Sequence, residues 1–118
     1  MSIVELLLDT ARADTDLLTK NDQLGDQFSV PRTVDFLLIA DIAETADTVA
    51  SFITDNQYAE CRIDETGDGK FRILAQLEMP ITQNVACAVS GLFACLSKIS
   101  NVEYDGWGCE LRTTPGGG

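Results

Sequence analysis

Between Tyr58 and Met79 the chain alternates apolar and polar residues in two runs separated by a short polar break. Ala59, Cys61 and Ile63 share one side and Tyr58, Glu60, Arg62 and Asp64 the other. After the break, Phe71, Ile73, Ala75, Leu77 and Met79 alternate with Arg72, Leu74, Gln76 and Glu78. A period of two is that of a strand with one buried face. Thr66-Gly67-Asp68-Gly69 supplies residues that tolerate positive φ in a tight turn. The segment therefore predicts an antiparallel hairpin, and the rest of the chain must build around it.

The elements on either side follow from their own patterns. Thr33–Ala40 is short, β-branched and aromatic, which predicts a strand. Its last five residues are apolar whichever face they occupy, as in a central strand covered on two sides. Asp41 with Glu44 reads as a capping signal for a helix to about Asn56, with Ile42, Ala46, Val49, Ala50 and Ile53 at helical spacing. Pro80 is suited to the first position of another helix, whose stripe Ile81, Val85, Ala88, Val89, Leu92, Leu96 and Ile99 ends near Ser100. Asn101–Leu111 begins as a strand at Val102–Tyr104 and is interrupted by Gly106 and Gly108. Ahead of all these, Ser2 and Glu5 form a capping box for a helix to about Leu18, with Ile3, Val4, Leu7, Leu8 and Ala11 on one side. Thr19–Pro31 reads as a polar connector.

The resulting order, a leading helix and then βαββαβ, predicts an α+β fold of the ferredoxin-like kind. Such a sandwich is an antiparallel sheet with its first and third strands central and two helices on one face. The divisions expected are an N-terminal helix and connector over 1–31, the ferredoxin-like domain over 32–112, and a flexible tail over 113–118. Alternation puts Leu37, Ile39 and Leu74 on the face without helices, where exposing each forgoes about 1.5 kcal/mol or more. The N-terminal helix is expected to cover them, or a second chain, as in a homodimer, or a partner.

At 118 residues the chain has the size of one domain, and 19 acidic against 8 basic residues give a net charge of −11. That field repels phosphate backbones and anionic lipid, so no direct nucleic-acid ligand and no membrane partner are expected, while a partner rich in Lys and Arg would be drawn in. The N-terminus has no basic region followed by an apolar one, and no apolar run is long enough to span a bilayer, so a cytoplasmic location is expected. The cysteines, Cys61, Cys87, Cys95 and Cys109, form no CxxC pair, and Cys87 and Cys95 fall about 12 Å apart along one helix, too far to bridge. Reduced, buried thiols are expected.

Chemistry is sparse. The chain has no histidine, which removes His-based triads, general bases and metal sites. Asp64–Gly69 has the look of a calcium loop, but the positions that need liganding side chains are Thr66 and Ala75, so a turn is expected and no metal. Gly69–Leu74 lies where RNA-recognition motifs carry stacking aromatics, yet Phe71 belongs to the core-facing set. Glu103, Asp105 and Glu110 could be offered as acid–base carboxylates, but no nucleophile, metal ligand or phosphate loop accompanies them. No catalytic residue and no cofactor are expected, and the chain does not read as an enzyme.

The run Val102-Glu103-Tyr104-Asp105-Gly106-Trp107-Gly108 resembles the RraB family, regulators of ribonuclease E activity, whose members carry a VEYDGWG-like motif at the end of a βαββαβ body. The resemblance extends over Val34–Leu111, in element order more than in identity outside the motif. It implies a small cytosolic protein that binds ribonuclease E on its C-terminal scaffold region and slows or redirects RNA decay without chemistry of its own. It also departs from the family, since the chain stops at Arg112-Thr-Thr-Pro-Gly-Gly-Gly where members often continue into an acidic tail. Glu103, Tyr104, Asp105 and Trp107 are the candidate partner-binding residues, with Gly106 and Gly108 as structural positions that re-aim Trp107. Tyr104 and Trp107 can equally form a structural cluster closing the sheet edge. A ferredoxin-like small-molecule-sensing or dimerisation module is the alternative function.

Overall fold

The computed structural model describes residues 2–113. The elements are α1 (Ile3–Gln23), β1 (Arg32–Ala40), α2 (Ala43–Asp55), β2 (Glu60–Glu65), β3 (Phe71–Met79), α3 (Gln83–Ser100) and β4 (Glu103–Cys109). The four strands form an open antiparallel sheet in the order β2-β3-β1-β4, so β1 and β3 are central, as the element order predicts. Of the expected tail at 113–118, all but Thr113 lies outside the described residues.

The hairpin forms where alternation puts it. Cys61 pairs with Ala75 and Ile63 with Ile73, on the side of the core. The turn is closed by the Thr66 N–H donating to the Lys70 carbonyl at 2.8 Å, and Gly69 takes the positive φ of 83°. The core lies on one face of the sheet, where Val34, Phe36, Leu38 and Ala40 of β1 and Ile73 and Ala75 of β3 meet Ala46, Val49 and Ile53 of α2 and Ala86 and Phe93 of α3. The Phe36 and Phe93 rings stack with centroids 4.8 Å apart at its centre.

Helix ends depart from expectation in two places. Asp41 does not cap α2; Ile42 stands at the cap with no side-chain hydrogen bond. Pro80 does not open α3, which starts after Thr82; Pro80 and Ile81 instead form the strand-to-helix link, with the Ile81 N–H bonded to the Phe28 carbonyl at 2.9 Å. The Ser2 and Glu5 capping box is present, the Glu5 N–H donating to Ser2 Oγ at 3.1 Å.

The larger correction concerns α1. It runs five residues past Leu18, to Gln23, and it does not cover Leu37, Ile39 and Leu74. It packs beside α3, on the same side of the sheet as the other helices. Its seam is Leu7, Ala11, Asp14 and Leu18, at a heptad-like spacing, while Val4 and Leu8 point outward. The apolar side predicted from the first two turns is thus rotated, because the helix buries its second half. Leu37, Ile39 and Leu74 remain half-buried on the opposite, open face.

Candidate functional site

Val102 and the first six residues of β4, Glu103 to Gly108, make up the motif. Leu38 of β1 pairs with Tyr104 and Phe36 pairs with Trp107, so two steps on β1 face three on β4. Asp105 and Gly106 both stand opposite Leu37. This is a β-bulge, and Gly106 carries it at φ 91°, a conformation strained for any residue with a Cβ. Gly108 has no positive φ, and a Cβ there would meet nothing within 4 Å.

The bulge decides which side chains point where. Simple alternation would send Tyr104 and Trp107 to opposite faces; the extra residue sends both toward the helices. The Tyr104 ring lies 6.3 Å from Phe93 and the Trp107 ring 6.4 Å from Phe36. Glu103 and Asp105 are exposed. The four candidate partner-binding residues are thus divided into an inward aromatic pair and an outward acidic pair.

The aromatic pair converges on Asp14 of α1. Trp107 Nε1–H donates to Asp14 Oδ1 at 2.9 Å, and Ser90 Oγ–H of α3 donates to the same oxygen at 3.0 Å. Tyr104 Oη sits 2.8 Å from Ser90 Oγ. Since Ser90 gives its one proton to the carboxylate, Tyr104 is the donor in that contact. Asp14 is 4% exposed, and its Oδ2 has no hydrogen-bond partner. Burial raises the Asp14 pKa, opposed in part by the bonds from Trp107 and Ser90. Burial likewise raises Tyr104, the nearby Asp14 charge adding to the effect and the Ser90 bond opposing it. Cys87, on α3, is raised by burial and by the Asp14 charge. A buried acid bonded by the neutral donors Trp107 and Ser90 ties α1, α3 and β4 together.

Sequence reasoning missed Asp14 and Ser90 altogether, and it also missed a second buried polar cluster. Arg32, the first residue of β1, has a fully buried side chain. Its Nη1 donates to both Asp26 oxygens, at 2.7 and 2.8 Å, and to the Glu110 carbonyl at 3.1 Å. Nη2 and Nε donate to the carbonyls of Gln27 at 2.7 Å and Val30 at 3.1 Å. Asp26 also accepts from Asn21 Nδ2 and the Arg112 N–H, each at 3.3 Å. The supposed connector is therefore a fitted clamp that holds the residues after β4. Gly25 at φ 85° was the available signal, marking a turn that places Asp26 inward.

Among the described residues no three of Cys, Asp and Glu come together as a metal-binding set, and no helix is long and apolar enough to cross a membrane. The four cysteines are free and half-buried.

No curated protein sequence matches the chain. The family model for Regulator of ribonuclease activity B matches residues 11–109. That match runs from the seam of α1 to the last residue of β4 and so takes in Asp14, Ser90, Tyr104 and Trp107. Covering most of the chain, and with the VEYDGWG run inside it, the match establishes that the chain belongs to the RraB family of ribonuclease regulators.

Proposed function

We propose that this chain is a non-catalytic cytoplasmic protein that binds ribonuclease E through its C-terminal scaffold region and restrains its cleavage of RNA. The family match over residues 11–109 carries the proposal. The net charge of −11 supports it, since an acidic protein is steered toward a partner whose Lys and Arg bind RNA. We read the sheet order and its helix-covered face as the ferredoxin-like arrangement of that family. In this reading Glu103 and Asp105 belong to the contact surface, while Tyr104 and Trp107 hold β4 in place to present it.

The test is direct. Purified protein is added to ribonuclease E and a model RNA, and cleavage is followed as salt rises from about 50 to about 300 mM. The expected result is slower cleavage at low salt and progressive loss of binding as salt screens the attraction. Absence of binding to the full-length nuclease at low salt would overturn the proposal.

A further inference from the structure

The face of the sheet without helices has an apolar centre and an acidic border. Leu37 and Leu74 are direct cross-strand partners on β1 and β3, with Ile39 one step along β1, beside Arg72. All three α-helices lie on the other side, so no helix of the described residues covers this strip. Around it alternation places Asp35, Glu103 and Asp105 toward β4, and Glu60, Asp64 and Glu78 toward β2. Of the cations on or beside the face, Arg62 and Arg72 are both directed at Asp64, at 3.8 and 3.9 Å, while Lys70 and Arg112 at its ends stand 3.9 Å from Asp41 and 3.2 Å from Glu110. The border thus keeps a surplus of negative charge. Beside Gly108, an open hollow of about 570 Å³ has Asp35, Gln76, Glu110 and Arg112 in its wall.

We propose that this face binds a segment of another protein in which apolar side chains are flanked by lysines and arginines. The apolar residues of the segment sit over Leu37, Ile39 and Leu74, and its cations meet Asp35, Glu103 and Asp105. Charge excludes the other occupants: a second copy would bring the same acidic surplus against this one, and a nucleic acid would bring phosphates. The proposal rests on the reading of the chain as a protein-binding regulator and names the surface that does the binding.

The probe is a short fluorescein-labelled peptide alternating leucine with lysine, titrated into the full chain by fluorescence anisotropy. The expected result is saturable binding that weakens roughly tenfold or more, the equivalent of about 1.4 kcal/mol, when serine replaces leucine in the peptide. A similar loss is expected for Leu37→Gln and for the Glu103→Lys, Asp105→Lys double variant. Asp47→Lys, an equal charge change per site on exposed α2, should bind as wild type does. Equal loss with Asp47→Lys, or unaltered binding by Leu37→Gln, would overturn the proposal. So would a dimer in sedimentation that Leu37→Gln dissolves, since a second copy would then be the occupant. Should Leu37→Gln misfold, the serine peptide alone decides. If the face variants still restrain ribonuclease E as wild type does, the surface is wrong and the regulatory reading stands. If wild type takes the peptide here yet leaves ribonuclease E untouched, the regulatory reading falls and the surface stands.

Discussion

Asp26 and Asp14 are both buried acids, 6% and 4% exposed, and both join the N-terminal part of the chain to its last strand or the residues just beyond. They are held in opposite ways. Asp26 takes a guanidinium across both oxygens and two further donors, so its charge is matched and its lone pairs are used. Asp14 takes two neutral donors on one oxygen, with the other left bare. A buried charge pair is costly to assemble and more costly to break by halves. A buried acid without a cation can instead give up its charge. The clamp around Arg32 is accordingly rigid, and the seam around Asp14 is adjustable.

The sharpest way to break the comparison is Arg32→Met, which leaves Asp26 charged in an apolar place. The expected loss is about 3–5 kcal/mol in urea unfolding. A loss below about 1 kcal/mol would mean that water enters and the clamp is not closed.

Trp107→Phe keeps a ring against Phe36 but takes the N–H from Asp14. Its expected cost is about 1–3 kcal/mol, smaller than that of Arg32→Met because a carboxylate left with one donor can take a proton. A larger loss than Arg32→Met shows would reverse the ranking of the two regions. Gly106→Ala should cost about 1 kcal/mol by straining the bulge, and Gly108→Ala, in open space at an ordinary φ, less than about 0.5 kcal/mol. Equal costs at the two glycines would deny the bulge its role.

A small change at neutral pH, within about 1 kcal/mol, is expected for Asp14→Asn, and its effect should appear in the pH dependence. Because the Asp14 pKa is raised on folding, protonation favours the folded state. The stability this provides is fully present below the unfolded value near 3.9 and is lost as pH rises through the folded value. Urea midpoints measured upward from about pH 4 should therefore fall less steeply in Asp14→Asn than in wild type. The other titratable groups near the seam, Tyr104 and Cys87, have raised values of their own and stay neutral across that window. Identical slopes in the two proteins would remove Asp14 from the account.

The parts of this structure that were legible in the sequence are those ruled by period and turn chemistry. The hairpin from Glu60 to Met79, the central place of β1 and the helix ending at Ser100 all follow from residues whose burial matches their polarity. Where polarity and burial disagree, reading failed. Arg32, Asp26 and Asp14 are charged, and no periodicity marks them as inward, although all three are buried. Counting in twos from Glu103 points Trp107 outward, and only the backbone at Gly106 shows that the count slips by one. For α1, the capping box fixed the start, but its outward Val4 and Leu8 are more apolar than the seam containing Asp14, so the stripe misled. Nothing local specifies that this helix lies against α3 rather than across the open sheet.

The Arg32 clamp also bears on the order in which the chain folds. Its bond to the Glu110 carbonyl spans 78 residues, so it forms only when β4 has paired with β1 and the segment beyond it has arrived. Contacts of such long range close late, after the hairpin and helices have formed from nearby residues. An interaction absent from the folding transition state slows unfolding without speeding folding. On the ribosome, β4 and the Glu110 carbonyl must both emerge before Arg32 is fully satisfied. Until then the guanidinium has only its near partners, Asp26, Gln27 and Val30, and afterwards the same residue latches the start of the central strand to the segment beyond the last one.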